Sequence, residues 1–432
     1  MVRALPGVRS CVLAVLCLTG PVILELVRQQ TGTPGFFVGL GLAVLPVPLL
    51  MAAFRWLGRA APHPWAQLLF CFGWGACTAA LIAILANDFA TEWITAATAD
   101  PSHADELGSV AIAPVVEESA KAAALLLVFA FRRGQFTGPA DGFVVAGFTA
   151  TGFAFTENIL YLGNAFGEDL AKDTPALDSL TAATFFVRIV LSPFAHPLFT
   201  VVTGLGVGAA ALGTGGRARR LGLPLLGLAA AMGLHALWNA SSRLGEYGFY
   251  WVYGCVMVPV FGLLLWLAVR IRRGRLRAVS AELAVYAAAG WFGPAEVPAL
   301  ASVPARSLAC ALARRSGGRA AGRVVALYAA DAAALALLRY RARRGGAGRE
   351  PDFAGQEREL LHRLWRRRAT AGPALSRAAV LEELLPVRFD PLGRVPVPAA
   401  RAPRRSGPWT GATPAGPPSS RPCALPGGDG VR

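Results

Sequence analysis

Long apolar stretches alternate with short charged ones over the first two thirds of the chain, and few polar residues interrupt them. A helix needs about 20 mostly apolar residues to cross a bilayer. About eight such stretches lie at roughly 11–27, 36–54, 65–85, 109–131, 142–163, 182–212, 221–240 and 249–270. From 278 the pattern changes, with apolar residues recurring at helical spacing among many arginines, as over 324–338 and 360–365. That predicts a small helical cytoplasmic region over 278–390, packed on itself or on the membrane surface. From about 391 the chain is rich in Pro, Gly, Arg and Ser. Such a composition buries too little apolar surface to offset ordering entropy, so a disordered tail is expected over 391–432. The expected fold is an all-α polytopic membrane protein of about eight transmembrane helices, with its membrane domain over 1–275.

Loop charge gives this count a direction. Lys and Arg accumulate on the cytoplasmic side of inserted helices. One set of alternating segments holds Arg3, Arg9, Arg55, Arg59, Arg132, Arg133, Arg217, Arg219, Arg220 and the arginines of 270–277. The other holds only Arg28, Lys172 and Arg243, and carries acidic residues such as Asp88, Asp105, Glu168 and Asp178. Both termini are therefore expected in the cytoplasm of a cell whose plasma membrane the chain crosses several times. The alternation needs the first apolar run as an uncleaved span, although Arg3 and Arg9 ahead of it also suit a signal peptide.

Composition agrees: 54% of residues are hydrophobic and the mean hydropathy is +0.48, too apolar for an ordinary soluble protein. The formal net charge of +16 sits largely in the anchoring loops and the Arg-rich C-terminal third. Topology and anionic lipid account for it, and no nucleic-acid partner is expected. The seven cysteines show no CxxC pair or zinc-ligand spacing, so neither a disulfide framework nor a cysteine metal site is expected. A sequon at Asn239 falls at a helix end, where that residue has a better use.

The interruptions of the apolar pattern carry the chemistry, because ionisable groups in hydrocarbon are expensive and are usually retained for function. The fourth stretch holds Glu117, Glu118 and Lys121, which place the lysine within one turn of either carboxylate. The fifth has Phe153 and Glu157 on one face, with Asn158 next in line. The sixth has Arg188 and then His196 between Pro193 and Pro197, prolines that imply a kink or a widened turn. The seventh ends with His235 and Asn239 on one face. Each has a bland reading: an interhelical ion pair, a hydrogen bond between helices, a packing histidine, a helix-end cap. Counted from the extracytoplasmic ends, however, all four fall at the middle or in the outer half of helices that alternate in direction. Independent packing accidents would not share a depth, so four helices are expected to surround one polar cavity.

These residues resemble the PrsW-type intramembrane proteases, part of the wider group that includes the CAAX prenyl proteases and Abi-type membrane proteins. The resemblance rests on Glu117-Glu118-x-x-Lys121, Phe153-x-x-x-Glu157-Asn158, Pro193-x-x-His196 and His235-x-x-x-Asn239, and covers about 10–275. The CAAX proteases have histidine where this chain has Glu157, so the PrsW-type branch fits better. The resemblance implies hydrolysis of a peptide bond of a membrane-anchored protein, with an anti-sigma factor as the family's substrate. Two mechanisms stay open. In one, Glu157, His196 and His235 bind Zn2+ while Glu117 or Glu118 takes a proton from water. In the other, a glutamate, Glu117 by preference, activates water directly, a histidine protonates the leaving amine and Asn239 helps hold the oxyanion. A proton-coupled transporter would also carry midspan carboxylates and histidines, but the chain lacks detectable inverted halves. A catalytically silent membrane scaffold is the third class.

Overall fold

The computed structural model describes residues 6–132, 136–175, 178–212, 216–345 and 352–384; the tail expected from 391 lies outside them. Among the described residues every regular element is a helix. Seven helical stretches are long and apolar enough to cross a membrane: Ser10–Ala60, Trp65–Thr98, Pro139–Lys172, Leu180–Ala211, Arg217–Arg243, Gly248–Ala288 and Val303–Arg344. The chain is therefore an all-α polytopic membrane protein.

The first stretch is 51 residues long, far more than one crossing needs. Helix α1 (Pro6–Ala43) breaks at Gly32, whose φ of 70° suits a residue without Cβ. Ahead of the break, Leu16 and Gly20 lie against Gly73 and Cys77. Beyond it, Gly39 lies against Ile159 and Gly58 against Val144, so the chain has reversed. Helix α2 (Val47–Leu57) completes the return leg. The two legs are the first two expected spans.

The stretch Trp65–Thr98 consists of α3 (Trp65–Gly73), a π-helical turn (Trp74–Ala79) and α4 (Ala80–Thr98). Next come α5 (Pro101–Leu107), a second π-helical turn (Gly108–Ile112) and α6 (Ala113–Phe131). Asp100 starts α5, accepting hydrogen bonds from the Ser102 hydroxyl and from the backbone N–H groups of His103 and Ser102, which together hold its carboxyl below the usual range. Helix α6 is the expected fourth span. It is absent from the seven because Glu117, Glu118 and Lys121 fall within its 19 residues.

Helix α7 (Pro139–Lys172) is the hub, with 83% of its span window buried against its neighbours. Glycine makes that approach possible: a Cβ on Gly142 or Gly204 would run into the backbone of the other helix, and Gly75 and Gly152 are similarly tight. In a bilayer, where apolar surface gains little from leaving lipid, such small-residue contacts provide the packing. The expected sixth span divides into α8 (Leu180–Phe185), a π-helical turn (Phe186–Leu191), a non-helical Ser192–Phe194 link and α9 (Ala195–Ala211). The kink expected from Pro193 is there. Helix α10 (Arg217–Ala240) packs antiparallel on α9, with Gly206 against Leu223 and Gly227 against Val202. The last span starts with α11 (Gly248–Val252) and a π-helical turn (Tyr253–Met257), and continues as α12 to Ala288. Phe89, Leu226, Trp251 and Leu263 are exposed on the outer helices, as a lipid-facing belt requires.

Beyond α12 lie α13 (Glu296–Ala301), α14 (Val303–Gly345) and α15 (Phe353–Leu384). They form a core of their own with the end of α12, built around Leu283, Tyr328, Leu335 and Leu375. The apolar length of Val303–Arg344 alone would permit a span, but α14 breaks at Gly317 and Gly318, and its apolar side is buried against α13 and α15. This bundle meets the membrane helices at the N-terminal end of α7. Arg306 donates to the carbonyl oxygen of Ala60 at 2.9 Å, and Arg275 reaches Asp141 at 2.6 Å.

Candidate active site

Helix α6 presents Glu117, Glu118 and Lys121 toward α7, α9 and α10, with Trp74 donating its indole N–H to the Ala120 carbonyl at 3.0 Å. Lys121 is fully buried and pairs with both carboxylates, at 3.3 Å to Glu117 and 2.9 Å to Glu118. The helical spacing allowed either partner, and the side chain takes both. Its ammonium also lies 3.7 Å from the centre of the Phe153 ring, a cation–π contact from α7.

Three donors hold Glu118. Besides Lys121, the Thr200 hydroxyl donates at 2.8 Å, and His235 Nδ1 stands 3.2 Å away. With Nδ1 donating, the lone pair of His235 is at Nε2, 3.9 Å from Glu117 Oε2. Phe199 stacks on the His235 ring at 4.8 Å and fixes its plane. Glu117 is less committed: Lys121 is its one hydrogen-bond partner among the described residues, and that bond uses Oε2 alone.

His196 is held the opposite way round. Its Nδ1 lies 3.2 Å from Lys121 Nζ, and an ammonium has no lone pair, so Nδ1 accepts. Its Nε2 then donates to Glu157. Glu157 is bonded in turn by Arg188, whose Nε donates to Asn158 Oδ1 at 2.8 Å. Arg188 also lies over the Tyr161 ring at 3.9 Å. Each histidine thus has one nitrogen fixed by a carboxylate, a pairing that sets tautomer and ring orientation.

Six of the eight residues singled out in the sequence therefore form one contiguous network: Glu117, Glu118, Lys121, Glu157, His196 and His235. Asn158 joins it through Arg188. Asn239 stands apart, donating from Nδ2 to the Ser109 carbonyl at 2.8 Å. Thr200 and Phe199 were not anticipated, although Thr200 lies one helical turn after His196 and so shares its face.

Three carboxylates, Glu117, Glu118 and Glu157, gather around Lys121 and Arg188. Glu117, His196 and His235 have ligand atoms within 4.8 Å of one another. One carboxylate and two imidazoles suit a divalent metal with an open position. This grouping differs from the expected Glu157, His196 and His235. Glu157 meets the far nitrogen of His196 and is occupied by Arg188, whereas Glu117 faces His235. Lys121 engages the His196 lone pair, so a metal and the ammonium compete for it.

A cavity of about 210 Å³ opens beside the network, bordered by Asn158, Arg188, Ser192, His196, Trp238 and Asn239. It gives the buried groups an approach from outside. The polar groups of the four expected helices thus gather in one cluster with a cavity against it.

Residues 63–264 match the family model described as PrsW family intramembrane metalloprotease, a range that contains every residue of the network and the cavity. Neither a curated protein nor a solved structure matches the chain.

Proposed function

We propose that this chain, a member of the PrsW family through residues 63–264, is an endopeptidase that hydrolyses a peptide bond of a membrane-anchored protein, an anti-sigma factor on the family resemblance. The observation that carries this reading is the convergence of Glu117, Glu118, His196 and His235 from three helices onto a site next to a cavity. The alternation of loop charge supports a cavity in the outer half of a plasma-membrane bilayer, with both termini and the 278–390 region in the cytoplasm.

Glu117 is the carboxylate we assign to take the proton of the attacking water, since its Oε1 has no partner among the described residues. Glu118, fully engaged by Lys121, Thr200 and His235, orients rather than reacts. Lys121 pairs with both carboxylates and holds them in place. His196 borders the cavity and is the group we assign to give its Nε2 proton to the leaving amine, with Glu157 and Arg188 holding its ring. Lys121, bonded to both Glu117 and His196 Nδ1, passes on to Nδ1 the equivalent of the proton that Glu117 took from water. Asn239 also borders the cavity, and its second N–H remains for the carbonyl oxygen of the scissile bond.

The family description calls for a metal, and in that alternative Glu117, His196 and His235 would hold it in place of the acid and base roles just assigned to Glu117 and His196, Zn2+ being the ion their donor set suits. Such an ion would polarise the carbonyl and lower the pKa of water.

The test is cleavage of a single-span reporter protein by the purified protein in lipid vesicles. Wild type is expected to cut it, and Glu117→Gln, His196→Ala and His235→Ala to lose that activity while keeping their helical content. Undiminished cleavage by all three variants would overturn the assignment.

A further inference from the structure

The cavity beside His196 has a size, a polarity and a pair of orienting amides that say what it takes. Rigid glycine-packed helices do not surround it on all sides. One wall includes Val187 and Arg188 of the π-helical turn Phe186–Leu191 with the non-helical Ser192–Pro193 link, and another part of the lining is the end of α10 with Phe249. Pro193 has no N–H to continue the helical ladder, so this wall can adjust more cheaply than a regular helix.

Its polarity separates it from a lipid-filled crevice. A peptide bond can be attacked only where the substrate helix is unwound, and unwound N–H and C=O groups in hydrocarbon are costly unless they find partners. Asn158 and Asn239 supply them. Arg188 fixes Asn158 Oδ1 as an acceptor, which leaves its Nδ2 to donate. The Ser109 carbonyl fixes Asn239 Nδ2 as a donor, which leaves its Oδ1 to accept. Free amide N–H groups and a free amide oxygen on the same cavity match the donor and acceptor of a peptide unit.

The side chain it admits follows from volume and charge. An apolar cavity of about 150 Å³ holds a benzene ring, so about 210 Å³ accommodates one side chain up to that class. Arg188, the permanent charge on its wall, is already neutralised by Glu157. Val187, Trp238 and Phe249 provide the apolar surface.

We propose that this cavity is the subsite for one substrate residue beside the scissile bond, binding an unwound stretch of a membrane-anchored polypeptide and selecting an uncharged side chain no larger than a single ring. Val187 and Trp238 set its size limit. The inference rests on the protease reading above, and its test separates the two. A set of single-span peptides in vesicles carries Ala, Leu, Phe or Trp in turn at each position flanking the cleaved bond, with cleavage sites read by mass spectrometry. At one position wild type is expected to accept Ala, Leu and Phe and to reject Trp. Val187→Phe should lower the Phe-to-Ala ratio of kcat/KM at that position about tenfold or more. Trp238→Ala should raise it and admit Trp. Because the readout is a ratio between substrates, a partly folded variant still reports it. Cleavage by wild type with a size profile unchanged by both variants at every position would overturn the subsite. Failure of wild type to cut any member would overturn the protease reading itself.

Discussion

The carboxylate of Glu118 and the imidazole of His235 meet at 3.2 Å although 117 positions separate them in sequence. That contact makes the two adjacent glutamates unequal. Glu118 spends its oxygens on Lys121, Thr200 and His235, and Glu117 keeps one free.

Glu117→Gln and Glu118→Gln should therefore fail differently. Loss of a general base costs about 10²- to 10⁴-fold, and Glu117→Gln should lower kcat by that order with KM little changed. Loss of an orienting partner costs roughly 10- to 100-fold, so Glu118→Gln should retain measurable turnover. Steady-state kinetics on a single-span substrate decides this, and a more severe Glu118→Gln would reverse the two roles.

Lys121→Met should be a stability mutation before it is an activity mutation. It leaves two buried carboxylates without their cation, and breaking one side of a buried ion pair costs about 3 to 5 kcal/mol. The triple variant Glu117→Gln, Glu118→Gln, Lys121→Met removes the charges together and should recover much of that loss. Unfolding in detergent, followed by helical content, measures both. Additive losses would mean that the three charges do not act as a unit.

Much of this was legible in the sequence because a bilayer makes polarity costly. Apolar length located the spans, and polar residues within them located Glu117, Glu118, Lys121, Glu157, His196 and His235. The reversal at Gly32 fell between two expected spans, and the structure makes it at that single glycine of positive φ. The break in α14 at Gly317 and Gly318 escaped notice for a similar reason, since a pair of glycines among arginines marks no span boundary. Which carboxylate would join the histidines was not legible, because that depends on how α6 and α7 are rotated about their axes. Glu117 rather than Glu157 faces His235 only once Lys121 and Arg188 have taken their partners. Thr200 stayed hidden because a neutral hydroxyl in an apolar helix is cheap and common, and it bonds its own backbone as readily as a neighbour.

The metal reading predicts a stoichiometry. Purified wild-type protein should carry about one divalent ion per chain, lost in His196→Ala and in His235→Ala and weakened in Glu117→Gln. Glu157→Gln should retain it, since Glu157 acts on the far nitrogen of His196. Elemental analysis of the four variants checks this independently of activity. Retention in His235→Ala with loss in Glu157→Gln would restore the grouping expected from sequence.

At the other end of α7, a second buried charge network joins the helical bundle to the membrane helices. Asp141, in the first turn of α7, accepts from the Thr137 backbone N–H at 2.6 Å and pairs with Arg275 of α12 at 2.6 Å, while His63 lies 3.1 Å from its other oxygen. Arg306 of α14 reaches the Leu300 and Ala60 carbonyls at 2.6 and 2.9 Å. Arg306→Ala removes donors from two buried carbonyls without touching either core, each unsatisfied group costing about 1 to 3 kcal/mol. The bundle core around Tyr328 and Leu335 is separate and should stay folded. The variant should therefore loosen the attachment rather than unfold either part. Hydrogen exchange should rise in the 58–61 segment and the first turn of α14 and stay unchanged around 325–338. A rise spread evenly over α14 and α15 would show instead that Arg306 supports the bundle itself.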